Sequence, residues 1–303
     1  MKNDSQIKIV EVGPRDGLQN EKISISLDDK FQYIELLSKS GLQFIEAGSF
    51  VRPESIKQMA MTDKLYEKIV ESKLDQFIRF PCLVPNLIGL ENAKKAGVKD
   101  IALFTAISDS FTKKNINCTV DESFSRMKEV IDNASSEMVF RGYISTVFGC
   151  PYEGKTSIKR LCEVTEKLLD LGIDELSLGD TIGVATPSQV VEVVSAIKKI
   201  CPEDKIAMHF HDTRGMAITN VLKSLELGIR IFDSSSGGLG GCPYAKGATG
   251  NVATEDLLYL CEAEGLSTGI DLEKIMDASI FILNKVNKTS PSKFFITKLK
   301  ERL

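Results

Sequence analysis

The strongest constraint on this chain is a rhythm. Short β-rich runs recur eight times, each followed by a segment patterned as a helix. The runs are IKIVEVG (7–13), FIEAGSF (44–50), FIRFPCLVP (77–85), DIALFTAIS (100–108), VFRGYISTVF (139–148), ELSLGDTIG (175–183), IAMHFHDTRG (206–215) and IRIFDSSSGG (229–238). Several are almost continuously apolar, as expected of parallel strands buried on both faces. The segments between them carry helix punctuation. SLDDKFQYIELLSKSG opens on Ser26 with acidic residues behind it and stops at Gly41. TPSQVVEVVSAIKKI opens on Thr186 with Pro187 at the first helical position. SGLQFIEAG, AGVKDIALF, LGIDELSLG and LGIRIFDSS repeat one phrase: helix end, glycine, short link, strand.

Eight such units over about 260 residues predict an α/β chain, a (β/α)8 TIM barrel. An open doubly wound sheet usually has fewer strands and a glycine-rich dinucleotide fingerprint after the first. Here the first strand runs into GPRDGLQNE, which has no GxGxxG. Residues 1–303 read as one barrel domain, with residues from about 266 onward as a C-terminal helical extension. That extension comprises a helix near 271–287 and a basic tail, SKFFITKLKERL, read as a packed or frayed terminal helix.

The net charge is −4 with no long basic run, which argues against nucleic acid as a partner. No apolar run is long enough to span a bilayer, and the N-terminus shows no signal or transit pattern, so no membrane partner is expected. The seven cysteines, at 82, 118, 150, 162, 201, 242 and 261, form no CxxC pair. They are expected to be free thiols in a reducing compartment, consistent with a cytoplasmic location. A homo-oligomer, a dimer, is expected.

The only two histidines, His209 and His211, stand two apart in MHFHDTRG. Residues two apart on a strand point to one side, here at the C-terminal end of the seventh strand, the catalytic face of a barrel. Two adjacent imidazoles suit a metal ion; two hydrogen-bonded structural histidines are the alternative. Asp16, at the end of strand one, is the candidate third ligand or else a turn residue before Gly17. Glu46, Asp180 and Asp233 are carboxylates at other strand ends, costly to bury unless paired or metal-bound. Arg15 can pair with one of them or stabilise negative charge developing on a substrate.

After the eighth strand comes GGLGGCPYAKGATGN (237–251), which lacks the GK[ST] ending of a Walker loop. Cys242 is either a small residue in this glycine-rich loop or a thiol brought over the site by closure, as proton donor or acceptor. Asn251, just before VATEDLLYLCEAEG, is either the cap of the next helix or a neutral oxygen ligand to a metal.

Taken together and in order, GPRDGLQNE, GSFV, NLIGLENA, FTKKNIN, GCPYEGK, LGDTIGV, HFHDT and GLGGCPYAKGATGNVATED resemble 3-hydroxy-3-methylglutaryl-CoA lyase, over residues from about 7 to 265. The wider group is the DRE-TIM metallolyases, barrels that make or break carbon–carbon bonds beside an acyl-CoA or keto acid. The resemblance implies an acyl-CoA substrate and retro-Claisen cleavage of 3-hydroxy-3-methylglutaryl-CoA to acetyl-CoA and acetoacetate, with Mg²⁺ or Mn²⁺. It implies Asp16, His209, His211 and Asn251 as metal ligands. It further implies Arg15 at the enolate, Cys242 as the catalytic-loop thiol, and Glu46, Asp180 and Glu255 as active-site acids. The roles of His209 and His211 are not separated by sequence.

The chain departs from the family pattern at Arg214 and Met216, where tyrosine and glutamine are usual, at Ala47-Gly48 and Arg52, and at the SSSGGLGG entry to the loop. These lie near the mouth of the site and bear on the acyl substituent. The alternatives are a lyase for a bulkier 3-hydroxy-3-alkylglutaryl-CoA, a condensing synthase of the same barrel group, and a metal-binding barrel without activity. The synthases tend to read RDGEQ where this chain has Leu18 after Gly17, and they carry a C-terminal regulatory region.

Overall fold

The computed structural model describes residues 6–241 and 250–302. Among these the strands are β1 (Lys8–Glu11), β2 (Phe44–Ile45), β3 (Gly48–Ser49), β4 (Cys82–Leu83), β5 (Asp100–Ala106), β6 (Val139–Ser145), β7 (Glu175–Asp180), β8 (Ile206–Phe210) and β9 (Ile231–Ser234). All pairings are parallel, in the order β2-β1-β9-β8-β7-β6-β5-β4-β3. The eight sequence runs thus each supply a strand. The second is interrupted at Glu46-Ala47, so β2 and β3 are two halves of one barrel strand. Its backbone bonds in both directions: Glu46 N–H donates to Glu11 O at 2.9 Å, and Ala47 N–H to Pro81 O at 2.9 Å. That segment closes the ring, and the chain forms the predicted TIM barrel.

The helices are α1 (Leu27–Ser38), α2 (Thr62–Glu71), α3 (Leu87–Ala96), α4 (Asp109–Ile116), α5 (Val120–Asp132), α6 (Ile158–Asp170), α7 (Pro187–Ile197), α8 (Ala217–Glu226), α9 (Thr254–Ala263), α10 (Leu272–Val286) and α11 (Lys293–Glu301). Their ends follow local chemistry. Ser26 Oγ accepts from Asp29 N–H at the start of α1. Thr186 and Gln189 form a reciprocal capping box on α7. Gly41 has φ +94°, and any Cβ there would collide with Gly269 O, so the turn after α1 requires glycine. The basic tail is helical as α11, anchored by buried Phe295 and by Ser292 Oγ donating to Asp256 Oδ1 at 2.7 Å.

The strands alternate between two environments. Outward residues such as Ile9, Leu176, Leu178, Met208 and Phe232 join the main core with the helices. A small apolar cluster of Val10, Val12, Ala207 and Ile231, with Phe44 packed on it, stands apart. It occupies the alternate positions of β1, β8 and β9, which face the lumen. The same face carries Arg141 and Tyr143 of β6, Glu175 and Ser177 of β7, His209 of β8 and Asp233 of β9, so the lumen is largely ionic. No helix among the described residues is long and apolar enough to cross a membrane. The six described cysteines are free.

Candidate active site

The carboxyl ends of the strands bring the histidine pair and Asp16 together. His209 and His211 share the lumen face, with their Nε2 atoms 3.1 Å apart. Asp16 arrives from the Gly13–Gly17 turn, and its Oδ2 lies 4.0 Å from His211 Nε2. One ligand atom from each of Asp16, His209 and His211 falls within 4.8 Å of the other two. Asn251 pairs backbone to backbone with His211, and its Nδ2 donates to Asp16 Oδ2 at 2.9 Å. It does not cap α9; the residue before that helix is Ala253, with no side-chain cap.

Charge on this cluster is set from behind. His209 Nδ1 meets Asp233 Oδ2 at 3.0 Å, which leaves the Nε2 lone pair facing His211. Burial disfavours the His209 cation, but the Asp233 bond and charge, with Asp16, outweigh it and raise its proton affinity. His211 goes the other way: burial first, then the neighbouring His209, push it down to about 4, so its ring is neutral at pH 7. Burial also works against the Asp16 carboxylate, yet Arg15 and the histidines hold it below its usual range. A carboxylate, a neutral imidazole and an imidazole oriented by a carboxylate form a donor set suited to a divalent ion. Asn251 Oδ1 and His211 Nδ1 are buried here without hydrogen-bond partners. Here it is Nδ2 that faces Asp16 Oδ2 and Leu239 O, so the Asn251 oxygen becomes a ligand only on a half-turn of the amide, which a cation between it and the Asp16 carboxylate would stabilise.

Arg15 stands on the opposite side of Asp16. Its Nη1 meets Asp16 Oδ1 at 2.8 Å and its Nη2 meets Glu46 Oε2 at 2.7 Å. Its Nε is buried without a partner, as is Glu46 Oε1. Burial raises Glu46 above the ordinary carboxylate range even with Arg15 beside it.

Two other predicted acids have local partners. Asp180, at the end of β7, accepts from Val184 N–H at 2.9 Å and Ala185 N–H at 3.0 Å, and burial lifts it to about 6. Glu255, in the first turn of α9, accepts from Gly237 N–H on both oxygens and from Ser279 Oγ of α10. Its hydrogen bonds therefore run to the turn after β9 rather than to the Asp16–histidine cluster. Cys242 lies outside the described residues.

Arg141 is the group that the sequence reading passed over. From the third position of β6 it reaches Glu175 Oε1 at 2.6 Å, Asp233 Oδ1 at 2.6 Å and Tyr143 Oη at 2.7 Å. Tyr143 Oη in turn donates to Glu46 Oε2 at 3.2 Å. The lumen thus holds a closed circuit running Arg141, Asp233, His209, His211, Asp16, Arg15, Glu46, Tyr143 and back to Arg141. Its signal in the sequence is the pair Arg141-x-Tyr143, two polar-tipped residues at strand spacing in an otherwise buried run.

The comparisons agree with this fold. A family model described as HMGL-like matches residues 6–282. The chain is 48% identical over 300 residues to "3-hydroxy-3-methylglutaryl-CoA lyase, cytoplasmic" of Rattus norvegicus, covering 98% of this chain and 86% of that one. The structure of a hydroxymethylglutaryl-CoA lyase from Pseudomonas aeruginosa superposes with a TM-score of 0.93 at 42% identity, covering 98% of each chain. An HMG-CoA lyase from Acinetobacter baumannii, solved in complex with coenzyme A and 3-methylmalate, superposes with a TM-score of 0.91 at 37% identity, over 97% of this chain and 95% of that one. With the barrel, the strand-end histidine pair and the match across nearly its whole length, the chain belongs to the HMGL-like family.

Proposed function

We propose that the protein cleaves 3-hydroxy-3-methylglutaryl-CoA to acetyl-CoA and acetoacetate, in the cytoplasm, with Mg²⁺ or Mn²⁺ held by Asp16, His209, His211 and Asn251. The observation that carries this reading is the shared carboxylate. Asp16 presents one oxygen to Arg15 and the other to the histidine side, so fixed positive charge and a divalent-ion site adjoin one another.

The reaction removes the proton of the tertiary hydroxyl at C3, breaks the C2–C3 bond as the C3 oxygen becomes a carbonyl, and leaves the electron pair on C2 as the enolate of acetyl-CoA. Protonation at C2 then completes the product. An ion held by these residues would supply Lewis acidity and a template for substrate oxygens. Arg15 holds a fixed cation with an unused Nε–H, a donor for the enolate oxygen as charge develops there. Glu46 and Asp16 hold that guanidinium in place through separate nitrogens. Asp233 fixes the ring of His209 through Nδ1. Asp180, shifted to about 6, lies where a carboxyl can exchange a proton near neutral pH. Cys242, on the glycine-rich loop, is assigned the proton transfer at C2 on loop closure. Glu255 holds the turn after β9 that precedes that loop, from outside the Asp16–histidine cluster.

The test is to incubate the protein with Mg²⁺ and a panel of 3-hydroxy-3-alkylglutaryl-CoA thioesters and to identify the products. The methyl compound is expected to be cleaved best. Preference for a longer alkyl group would keep the chemistry and change the substrate, and condensation without cleavage would overturn the reading.

A further inference from the structure

Glu11 faces away from the lumen. Val10 and Val12 on either side of it point inward, and Glu11 is fully buried between the barrel wall and the helices. The named partners of its carboxylate are neutral donors from three separate segments. Oε1 accepts from Gly13 N–H and from Ser236 N–H, each at 2.9 Å. Oε2 accepts from Thr254 Oγ1 at 2.7 Å. Burying a carboxyl without a hydrogen-bonded cation is costly, and burial pushes this one up to about 7. Shape-filling alone would be served better by an apolar side chain.

Two of the three segments carry the proposed oxygen ligands of the site, and the third packs against one of them. Gly13 lies three residues before Asp16, and Thr254 lies three residues after Asn251. Ser236 opens the turn that leads to Leu239, whose carbonyl also accepts from Asn251 Nδ2 at 3.2 Å. The β1–β9 ladder gives out here, its last rung being Val12 N–H to Ser234 O at 2.8 Å. Beyond that rung, Glu11 Oε1 takes the freed amides of Gly13 and Ser236, one after each strand. The approach is close: a Cβ at Gly13 would lie 2.5 Å from Glu11 Oε1 and would also meet Tyr33 Oη, and a Cβ at Gly17 would lie 2.8 Å from Ser235 Oγ. Tyr33 Oη bonds Ser236 Oγ and braces the same turn from α1.

We propose that Glu11 is a positioning residue that fixes the spacing between Asp16 and Asn251 by tying the Gly13–Gly17 turn, the Ser236 turn and the start of α9 to one carboxyl group. The proposal rests on the reading of Asp16 and Asn251 as the oxygen ligands of the metal. It explains why a costly buried acid stands outside the lumen, touching neither substrate nor ion. Loss of the carboxyl leaves two backbone amides without acceptors and lets the two ligand-bearing segments separate.

The experiment is a Mn²⁺ titration of the folded protein, followed by the electron paramagnetic resonance signal of free ion, alongside kcat and KM at saturating metal. Glu11→Ala is expected to weaken Mn²⁺ by about 10- to 100-fold, as supporting groups around metal sites do, and to lower kcat at saturating metal more than it alters KM. Glu11→Gln is expected to keep both within about threefold, because its amide oxygen accepts the same two N–H groups. A Glu11→Ala protein with wild-type Mn²⁺ affinity overturns the proposal, as does a Glu11→Gln protein as impaired as Glu11→Ala. If Glu11→Ala does not fold, Thr254→Val removes one of the three ties, and unchanged affinity there overturns it equally. Asp16→Asn and Asn251→Ala separate the two layers of the argument. Normal Mn²⁺ binding in both breaks the ligand reading and this proposal with it. Loss in both, with Glu11→Ala normal, breaks the positioning role alone.

Discussion

His209 and His211 hold their Nε2 atoms 3.1 Å apart, and only His209 has a carboxylate behind it, Asp233 at 3.0 Å from Nδ1. The pair is therefore asymmetric: one ring is oriented and raised in proton affinity, and the other is neutral, with its Nδ1 unpartnered. Such a pair, with the Asp16 carboxylate beside it, is suited to holding a divalent cation.

His209→Ala or His211→Ala is expected to weaken Mn²⁺ by at least about 100-fold, more than the loss of a supporting group costs, with thermal unfolding little changed. Isothermal titration of each variant checks this. Wild-type affinity in both would mean that the histidines are structural.

Arg15→Met is expected to depress kcat by about 10²–10³ while KM moves far less, because the charge that Arg15 opposes appears along the reaction coordinate. Steady-state kinetics at saturating metal decide it. A loss confined to KM would make Arg15 a substrate-binding group.

Arg141→Met is expected to cost about 3–5 kcal/mol of stability, since it takes the guanidinium from the buried Asp233 carboxylate and leaves half-buried Glu175 with Lys8 alone. Urea unfolding measures it. A cost under about 1 kcal/mol would show that the lumen circuit reorganises around the loss.

Glu255 is raised to about 8 by burial, with Glu11 nearby adding to the shift. Its folded pKa thus exceeds its unfolded value, so the native state binds the extra proton between the two. The stability it contributes is complete below about 4.5 and is lost as pH rises through about 8. Glu255→Gln is expected to remove up to one proton equivalent, about 1.4 kcal/mol per pH unit, from the falling slope of stability between pH 5 and 7. Denaturation curves at several pH values read this out, and an unaltered slope would place the Glu255 pKa in the ordinary range.

Much of this architecture is written in local chemistry. The strand runs and the Ser26 and Thr186 caps depend on nearest neighbours, and each forms where the pattern places it. The histidine pair was visible because strand spacing alone makes His209 and His211 face together. The break at Glu46-Ala47 was not visible, because it depends on how one strand bonds β1 on one side and residues 79–83 on the other. Arg141 was hidden for a similar reason: within VFRGYIS it reads as one basic residue in a strand, and its meaning comes from Asp233, 92 residues away. Asn251 could be read as a cap until the structure put Ala253 before α9. Glu11 sits in an apolar run, and only the meeting of three distant segments around it reveals its use.

Metal-dependent cleavage is tested most directly by one measurement. Chelator-treated protein is mixed with 3-hydroxy-3-methylglutaryl-CoA, with and without Mg²⁺ or Mn²⁺, and acetyl-CoA and acetoacetate are quantified together by mass spectrometry. The account predicts equimolar products that appear only when the ion is restored and that vanish in His211→Ala. Folded, metal-loaded protein that yields neither product, or metal-free protein that yields both at full rate, would contradict it.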